Sequence, residues 1–235
     1  MNTAGTTPAI SPQATAAPVP PGLRVLYADG HLLVLDKPAG LLAVPGRGAD
    51  KQDCLSARAQ AQYPDALIVH RLDMATSGLV VMARGIEAQR RLSLAFEQRR
   101  VTKRYGAVVE GVPPGPTPDQ DWATIDLPLI IDWLARPRSK VDHRIGKPSL
   151  TRWRVAAQAA PLPGCTRLDL EPVTGRSHQL RVHLQAIGHP IVGDPLYATS
   201  EQQGWSSRLL LHACELSLPH PVDGQTLTFR SPCPF

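Results

Sequence analysis

One carboxylate lies between two apolar runs, and that arrangement limits the fold more than any other feature of the chain. Ala66-Leu67-Ile68-Val69 leads into His70-Arg71-Leu72-Asp73-Met74-Ala75-Thr76-Ser77-Gly78, and Leu79-Val80-Val81-Met82-Ala83 follows. Short apolar runs of this kind, bounded by turn residues, read as buried strands. The segment between them is then a loop that carries Asp73 and closes at Gly78. An acid beside an arginine in such a loop has three uses: nucleophile, general base, or half of a structural ion pair. The residues of the loop do not choose among them.

The remaining patterns place this loop in a larger frame. Leu32-Leu33-Val34-Leu35 reads as a strand that ends at Asp36-Lys37-Pro38, and Ala39 to Asp50, with three glycines, as a loop. Ala88, Leu92, Ala95 and Phe96 recur at helical spacing and predict a helix over Glu87 to Arg99. Tyr105 to Glu110, Thr166 to Leu170 and Leu209 to Leu218 read as strands. Leu180, Leu184 and Ile187 form a short helical stripe with Gly188 at its C-terminal end. The Pro/Gly/Asp-rich stretch from Pro113 to Asp121 reads as a loop, because apolar strand chemistry flanks it on both sides. Many strands, few helices and mixed connections predict an α+β fold on a large, mostly antiparallel sheet flanked by helices and loops. Residues 1–22 are rich in Ala, Thr and Pro, carry no charged side chain and are expected to form a disordered tail, leaving 23–235 as one domain.

Charge narrows the partner. The formal net charge is +5, and 20 of the 25 basic residues are arginine, whose planar fork suits phosphate and stacks on bases. Two clusters stand out: His70 to Arg104 holds eight Lys/Arg against three acids, and Arg136 to Arg154 holds seven against one. They predict a positive strip beside the acid, fit for a polyanion. No run approaches the roughly 18 apolar residues of a membrane span. The four cysteines have no CxxC spacing and the N-terminus has no secretory pattern, so a cytoplasmic location is expected. His178 and His183 are five apart, not the three or four favoured for a helical metal pair, and no Cys or acid completes a set.

Several segments together resemble the RluA family of pseudouridine synthases. His70 to Gly78 is similar to its HRLDxxTSG signature, and Lys103-Arg104-Tyr105 with Ala107 to Gly111 to its KxYxAxVxG motif. Thr174-Gly175-Arg176-Ser177-His178-Gln179-Leu180-Arg181-Val182-His183 resembles TGRxHQLRxH, Lys37 to Leu41 resembles KPxGL, and Gly188 to Asp194 resembles GHPIxGD. The resemblance runs from about Leu23 to Phe235. Asp126 to Ile130, Asp132-Trp133, Arg136-Pro137, Lys140-Val141 and Gly146-Lys147-Pro148 are most similar to the subgroup that modifies both transfer RNA and 23S ribosomal RNA.

The resemblance implies a pseudouridine synthase catalytic fold, isomerisation of uridine in RNA stem-loops, no cofactor, no metal and a monomer. It assigns Asp73 as the essential acid, Arg181 as its cationic partner and Tyr105 as the residue that lies against the uracil and helps remove the C5 proton. Whether the acid attacks C6, attacks C1′ or takes the C2′ proton stays open. Arg71 is implied to fill the space a flipped base leaves, with His70, Lys103 and Arg176 also on the RNA face. His178 is expected to be a hydrogen-bonded scaffold residue. Many family members carry an N-terminal S4 RNA-binding domain; none is expected here, so the catalytic domain itself must hold a small stem-loop. Two other readings are a non-catalytic RNA-binding or ribosome-assembly factor, and a glycosidic hydrolase that would need a second carboxylate.

Overall fold

Runs such as Leu32 to Leu35 and Leu79 to Ala83 lack polar alternation, which suits strands buried on both faces. The computed structural model describes residues 22–116 and 121–235. The expected N-terminal tail, apart from Gly22, lies outside the described residues. The strands are β1 (Arg24–Ala28), β2 (Leu32–Lys37), β3 (Ala66–Ile68), β4 (Ser77–Arg84), β5 (Thr102–Glu110), β6 (Ala123–Asp126), β7 (Leu129–Ile131), β8 (Ser139–Val141), β9 (Leu150–Val155), β10 (Cys165–Pro172), β11 (Leu211–Pro219) and β12 (Thr226–Arg230). The helices are α1 (Leu55–Gln62), α2 (Ile86–Glu97), α3 (Gln179–Ala186) and the short α4 (Ser200–Gln203).

Ten strands form one sheet in the order β1-β2-β4-β11-β5-β10-β9-β6, with β12 against β11 and β3 against β4. The fold is α+β on a mixed, mostly antiparallel sheet. β5 and β6, which flank the Pro113 to Asp121 stretch in the chain, belong to this same sheet. Helices α1 and α2 cover opposite faces of β2 and β4: Leu55 and Ala59 join one buried cluster with Leu33, Leu35, Val80 and Met82, while Ala88, Leu92 and Ala95 join another with Leu32, Val34, Leu79 and Val81. β10 alternates instead, burying Thr166, Leu168, Leu170 and Pro172 and turning Arg167, Asp169 and Glu171 outward. β7 and β8 stand apart as a small hairpin.

The two halves of the sheet meet at a parallel contact, where His212 and Ala213 of β11 pair with Ser77 and Gly78 of β4. Gly78 has φ +110°, and a Cβ placed there would lie 2.3 Å from the Ala213 carbonyl oxygen and 2.6 Å from its nitrogen. No side chain fits, and no L-residue favours that backbone. Gly78→Ala is expected to destabilise the protein by at least about 4 kcal/mol. A denaturant melt that matches the parent would contradict this seam.

Several elements escape the sequence patterns. In α1 only Leu55, Ser56 and Ala59 are buried, and its N-cap is the Cys54 thiol, accepting from the Ala57 amide at 3.5 Å, rather than a Ser, Thr, Asp or Asn. β6, β7 and β8 are three or four residues long, and β1 and β12 are edge strands with mixed burial.

Candidate active site

Chain entry into β4 sets the first part of the site. The Asp73 loop follows β3, and the Thr76 amide donates to the Asp73 carbonyl at 3.1 Å to close a tight turn. A second segment clamps this loop. The Met74 carbonyl accepts from the Gly40 amide at 2.9 Å and from Lys37 Nζ at 3.0 Å. Lys37 is fully buried and also donates to the Pro38 and Leu41 carbonyls at 2.9 and 2.8 Å. One ammonium thus supplies all three of its protons to carbonyls that fix the position of Asp73.

Burial, reinforced by the charge of Arg208 and opposed by that of Asp73, pushes Lys37 down to about 8. Unfolded lysine titrates near about 10.4. Between these values the unfolded chain holds more proton, so this group makes stability rise with pH across that window; its cost is greatest below pH 8. Lys37→Met should abolish that rise. It should also strand three buried carbonyls, destabilising the fold by about 2 to 3 kcal/mol. Urea melts at several pH values, with activity, check both.

The second part of the site comes from α3. Its N-cap, His178, adopts a left-handed conformation (φ 56°, ψ 19°), unusual for a side-chain-bearing residue. Gln179 fixes the bend. Its Oε1 accepts from Thr174 Oγ1 at 2.7 Å and the Arg176 amide at 3.0 Å, and its Nε2 donates to Leu150 O and Thr151 Oγ1, each at 3.0 Å. Two turns of α3 then bury Arg181, whose side chain is 3% exposed.

Arg181 reaches two carboxylates. Its Nε and Nη2 donate to Asp194 at 2.8 and 2.7 Å, and its Nη1 to Asp73 Oδ2 at 3.3 Å. The partner expected from the motif, Asp73, holds the longer bond; the bidentate bond belongs to Asp194, which is 0% exposed. Burial opposes the Arg181 charge, but the Asp194 hydrogen bonds and the fields of both acids outweigh it, so its pKa is raised. Asp194 therefore neutralises the buried cation, and Asp73, 29% exposed, faces the cavity. Asp194 is placed by Gly193, where a Cβ would meet the Arg208 carbonyl at 2.1 Å.

His178 lies beside the same carboxylate. The Tyr197 hydroxyl accepts from the Ser139 amide at 2.7 Å and lies 2.7 Å from His178 Nδ1. The other ring nitrogen, Nε2, lies 3.8 Å from Asp73 Oδ2. Burial, with Arg181 and Arg71, outweighs the pull of Asp73 and lowers the His178 pKa, so the ring is neutral at pH 7. His183 is similarly committed, to Thr151 Oγ1 and the Leu127 carbonyl.

Asp73, Tyr105, Arg181, Arg71, Arg176, His70 and Lys103 all line one cavity of about 330 Å³. Tyr105 comes from β5 and packs on the clusters of both sheet halves, at the seam. Burial, then the Asp73 charge, raise its phenol pKa, so it stays protonated and offers a ring face and a neutral hydroxyl. Arg71 is exposed at the cavity mouth, and Arg176 is exposed with Nε 3.4 Å from the Pro148 carbonyl. His70 has a scaffold task that its motif position did not suggest. Its ring stacks on Phe96 at 4.7 Å, and its Nε2 accepts from the Val81 amide at 3.0 Å. Burial and the Lys103 charge hold it down at about 3, so it brings no cation to a phosphate.

The positive strip is also narrower than the sequence suggested. Arg104, Arg152 and Arg154 alternate with Tyr105 and Trp153, so they point through the sheet to the other face. There they pair with Glu171 and Asp169 and surround Trp122. Asp194, Tyr197 and Lys37 had no role in the sequence reading; their only signal was membership of the GHPIxGD and KPxGL segments or proximity to them.

The sequence pattern of the RNA pseudouridylate synthase family matches residues 31–186, which include Asp73, Tyr105 and Arg181. The chain belongs to this family. As an RNA pseudouridine synthase it is an isomerase. It is 47% identical over 218 residues to the dual-specificity RNA pseudouridine synthase RluA of Escherichia coli (strain K12), covering 93% of this chain and 96% of that protein. It is 47% identical over 220 residues to the Vibrio parahaemolyticus protein of the same name, covering 93% and 86%. Among solved structures, human RNA Pseudouridylate Synthase Domain Containing 1 superposes with a TM-score of 0.73 at 28% identity, over 96% of this chain and 87% of that one. Among the described residues no helix is long and apolar enough to cross a membrane.

Proposed function

We propose that this synthase acts in the cytoplasm on two RNAs, the anticodon stem-loop of tRNA and a stem-loop of 23S ribosomal RNA, with Asp73 as its essential residue. The observation that carries this reading is the Asp73 carboxylate, held by Arg181 at 3.3 Å within the cavity that Tyr105 lines. The dual specificity of relatives 47% identical supports the choice of RNAs.

The uridine leaves its stack and enters the cavity, where the Tyr105 ring supports the base. Arg71, at the mouth, takes up the vacated space, and Lys103 and Arg176 meet phosphates. The reaction breaks C1′–N1, forms C1′–C5, releases the C5 proton and returns a proton to N1. Atoms and electrons balance within the substrate, so the chemistry asks for no redox partner. Asp73 acts on the reacting nucleotide while Asp194 keeps Arg181 neutralised throughout. The raised phenol pKa of Tyr105 makes it a stacking and proton-guiding group rather than a phenolate base.

Tritium release from C5-labelled uridine in each stem-loop tests the proposal. Release from both is expected. Binding without release from either would favour an RNA-binding factor on the same fold, and release from one alone would remove the dual specificity.

A further inference from the structure

A line of buried polar side chains crosses the seam between β4 and β11. Ser77 opens β4, His212 pairs with it on β11, and Ser231 follows β12. Ser77 Oγ lies 2.7 Å from His212 Nδ1, His212 Nε2 lies 3.1 Å from Ser231 Oγ, and Ser231 Oγ lies 2.9 Å from Asp36 Oδ2. Arg208 Nη2 donates to Ser77 Oγ at one end, and Asp36 pairs with Arg24 at 3.0 Å at the other. None of these side chains has a part in the chemistry described above.

Counting donors and acceptors fixes the direction of every bond. The Asp36 carboxylate only accepts, so the Ser231 hydroxyl gives it its one proton. Ser231 Oγ can then only accept from His212, which puts the ring proton on Nε2. Burial, with the charges of Arg208 and Arg24, outweighs the pull of Asp36 and lowers the His212 pKa, so the ring is neutral at pH 7. Nδ1 therefore accepts from the Ser77 hydroxyl, and Ser77 Oγ accepts in turn from Arg208. All the bonds run one way, from a guanidinium to a carboxylate, and each polarises the next.

The relay touches every segment that holds the catalytic acid. Ser77 directly follows the turn that the Thr76 amide closes on the Asp73 carbonyl at 3.1 Å. Asp36 precedes Lys37, whose ammonium holds the Met74 carbonyl at 3.0 Å. Arg208 turns its own carbonyl toward Gly193, the neighbour of Asp194, so closely that a Cβ there would lie 2.1 Å away. The relay thus ties the segments around Asp73 to the one that carries the Asp194 anchor of Arg181. A change in its length would alter the 3.3 Å between Arg181 and Asp73.

We propose that His212 is a positioning residue for uridine isomerisation: as the midpoint of this relay, it holds Asp73 at its working distance from Arg181. This rests on the catalytic reading above and extends it to a residue that does not line the catalytic cavity.

The test measures single-turnover tritium release and stem-loop Kd on the same proteins, well below their melting temperatures. His212→Phe keeps the bulk of the ring and removes both of its bonds. It should slow release by about a hundredfold and leave Kd within a few-fold, a split that general loosening of the fold would not give. Ser231→Ala cuts the relay one bond further on and should slow release by about tenfold. Ser231→Thr, which keeps the hydroxyl, should stay near the parent. Added to His212→Phe, Ser231→Ala should cost nothing further. Val222→Ala, at an exposed position in the turn between β11 and β12, should match the parent. Parental release by His212→Phe, losses that multiply in the double variant, or a Ser231→Thr protein as slow as Ser231→Ala overturns the proposal. The parent still releases tritium in each of those cases, so its function stands. If His212→Phe does not fold, the Ser231 variants decide: a slow Ser231→Ala with a fast Ser231→Thr supports the relay, and equal rates overturn it. A parent that releases no tritium overturns both the function and this role.

Discussion

Asp73→Asn is expected to reduce turnover by about a thousandfold or more while leaving RNA affinity within a few-fold. The amide keeps the shape of the side chain but cannot attack carbon or accept a proton from the sugar. Its structural cost is small. Asp73 has one 3.3 Å bond from Arg181 and is partly exposed, and Arg181 retains its bidentate partner Asp194. Single-turnover tritium release against Kd separates the two effects. Parental turnover in this variant would remove Asp73 from the chemistry.

Asp194→Ala should destabilise the protein by about 3 to 5 kcal/mol, because it leaves a buried guanidinium without its compensating charge. It also removes the acceptor of the Leu196 and Tyr197 amides, which bond Asp194 Oδ1 at 2.9 and 3.1 Å. A chain of this size should lose roughly 10 °C in Tm. Arg181 would then turn wholly to Asp73, so activity should fall as well. The decisive measurement is the double variant. If uncompensated charge is the cause, Arg181→Leu added to Asp194→Ala recovers part of the lost stability. Losses that simply add would show that the two side chains act independently.

Much of the frame was legible in the sequence because its strands obey two simple rules. Unbroken apolar runs gave the doubly buried β2 and β4, and alternation gave β10. The three-and-four spacing gave α2 and α3, with Gly188 just past the last turn of α3 at φ +86°. The elements that stayed hidden draw their stability from neighbours. α1 has a thin apolar stripe and a thiol cap, and β6 to β8 are too short to show a period. The charge clusters misled for a related reason: a tally along the chain ignores that adjacent strand residues face opposite ways, and Arg104 and Tyr105 do so.

The candidate site divides along the same line. Its residue types, Asp73, Tyr105 and Arg181 among them, stand in motifs that the chain carries whatever its conformation. Their division of labour does not. Arg181 and Asp194 are 13 positions apart and Arg181 and Asp73 are 108 apart. Only the folded chain shows that the first acid holds the charge and the second is left facing the cavity. His70 illustrates the reverse, a motif residue whose burial against Phe96 and Val81 takes it out of ionic work. Local pattern fixes which side chains a segment offers and which face of an element they occupy. Pairing, burial and proton position depend on contacts between segments distant in sequence, so they were decided only when the two halves of the sheet closed on each other at Gly78 and Ala213.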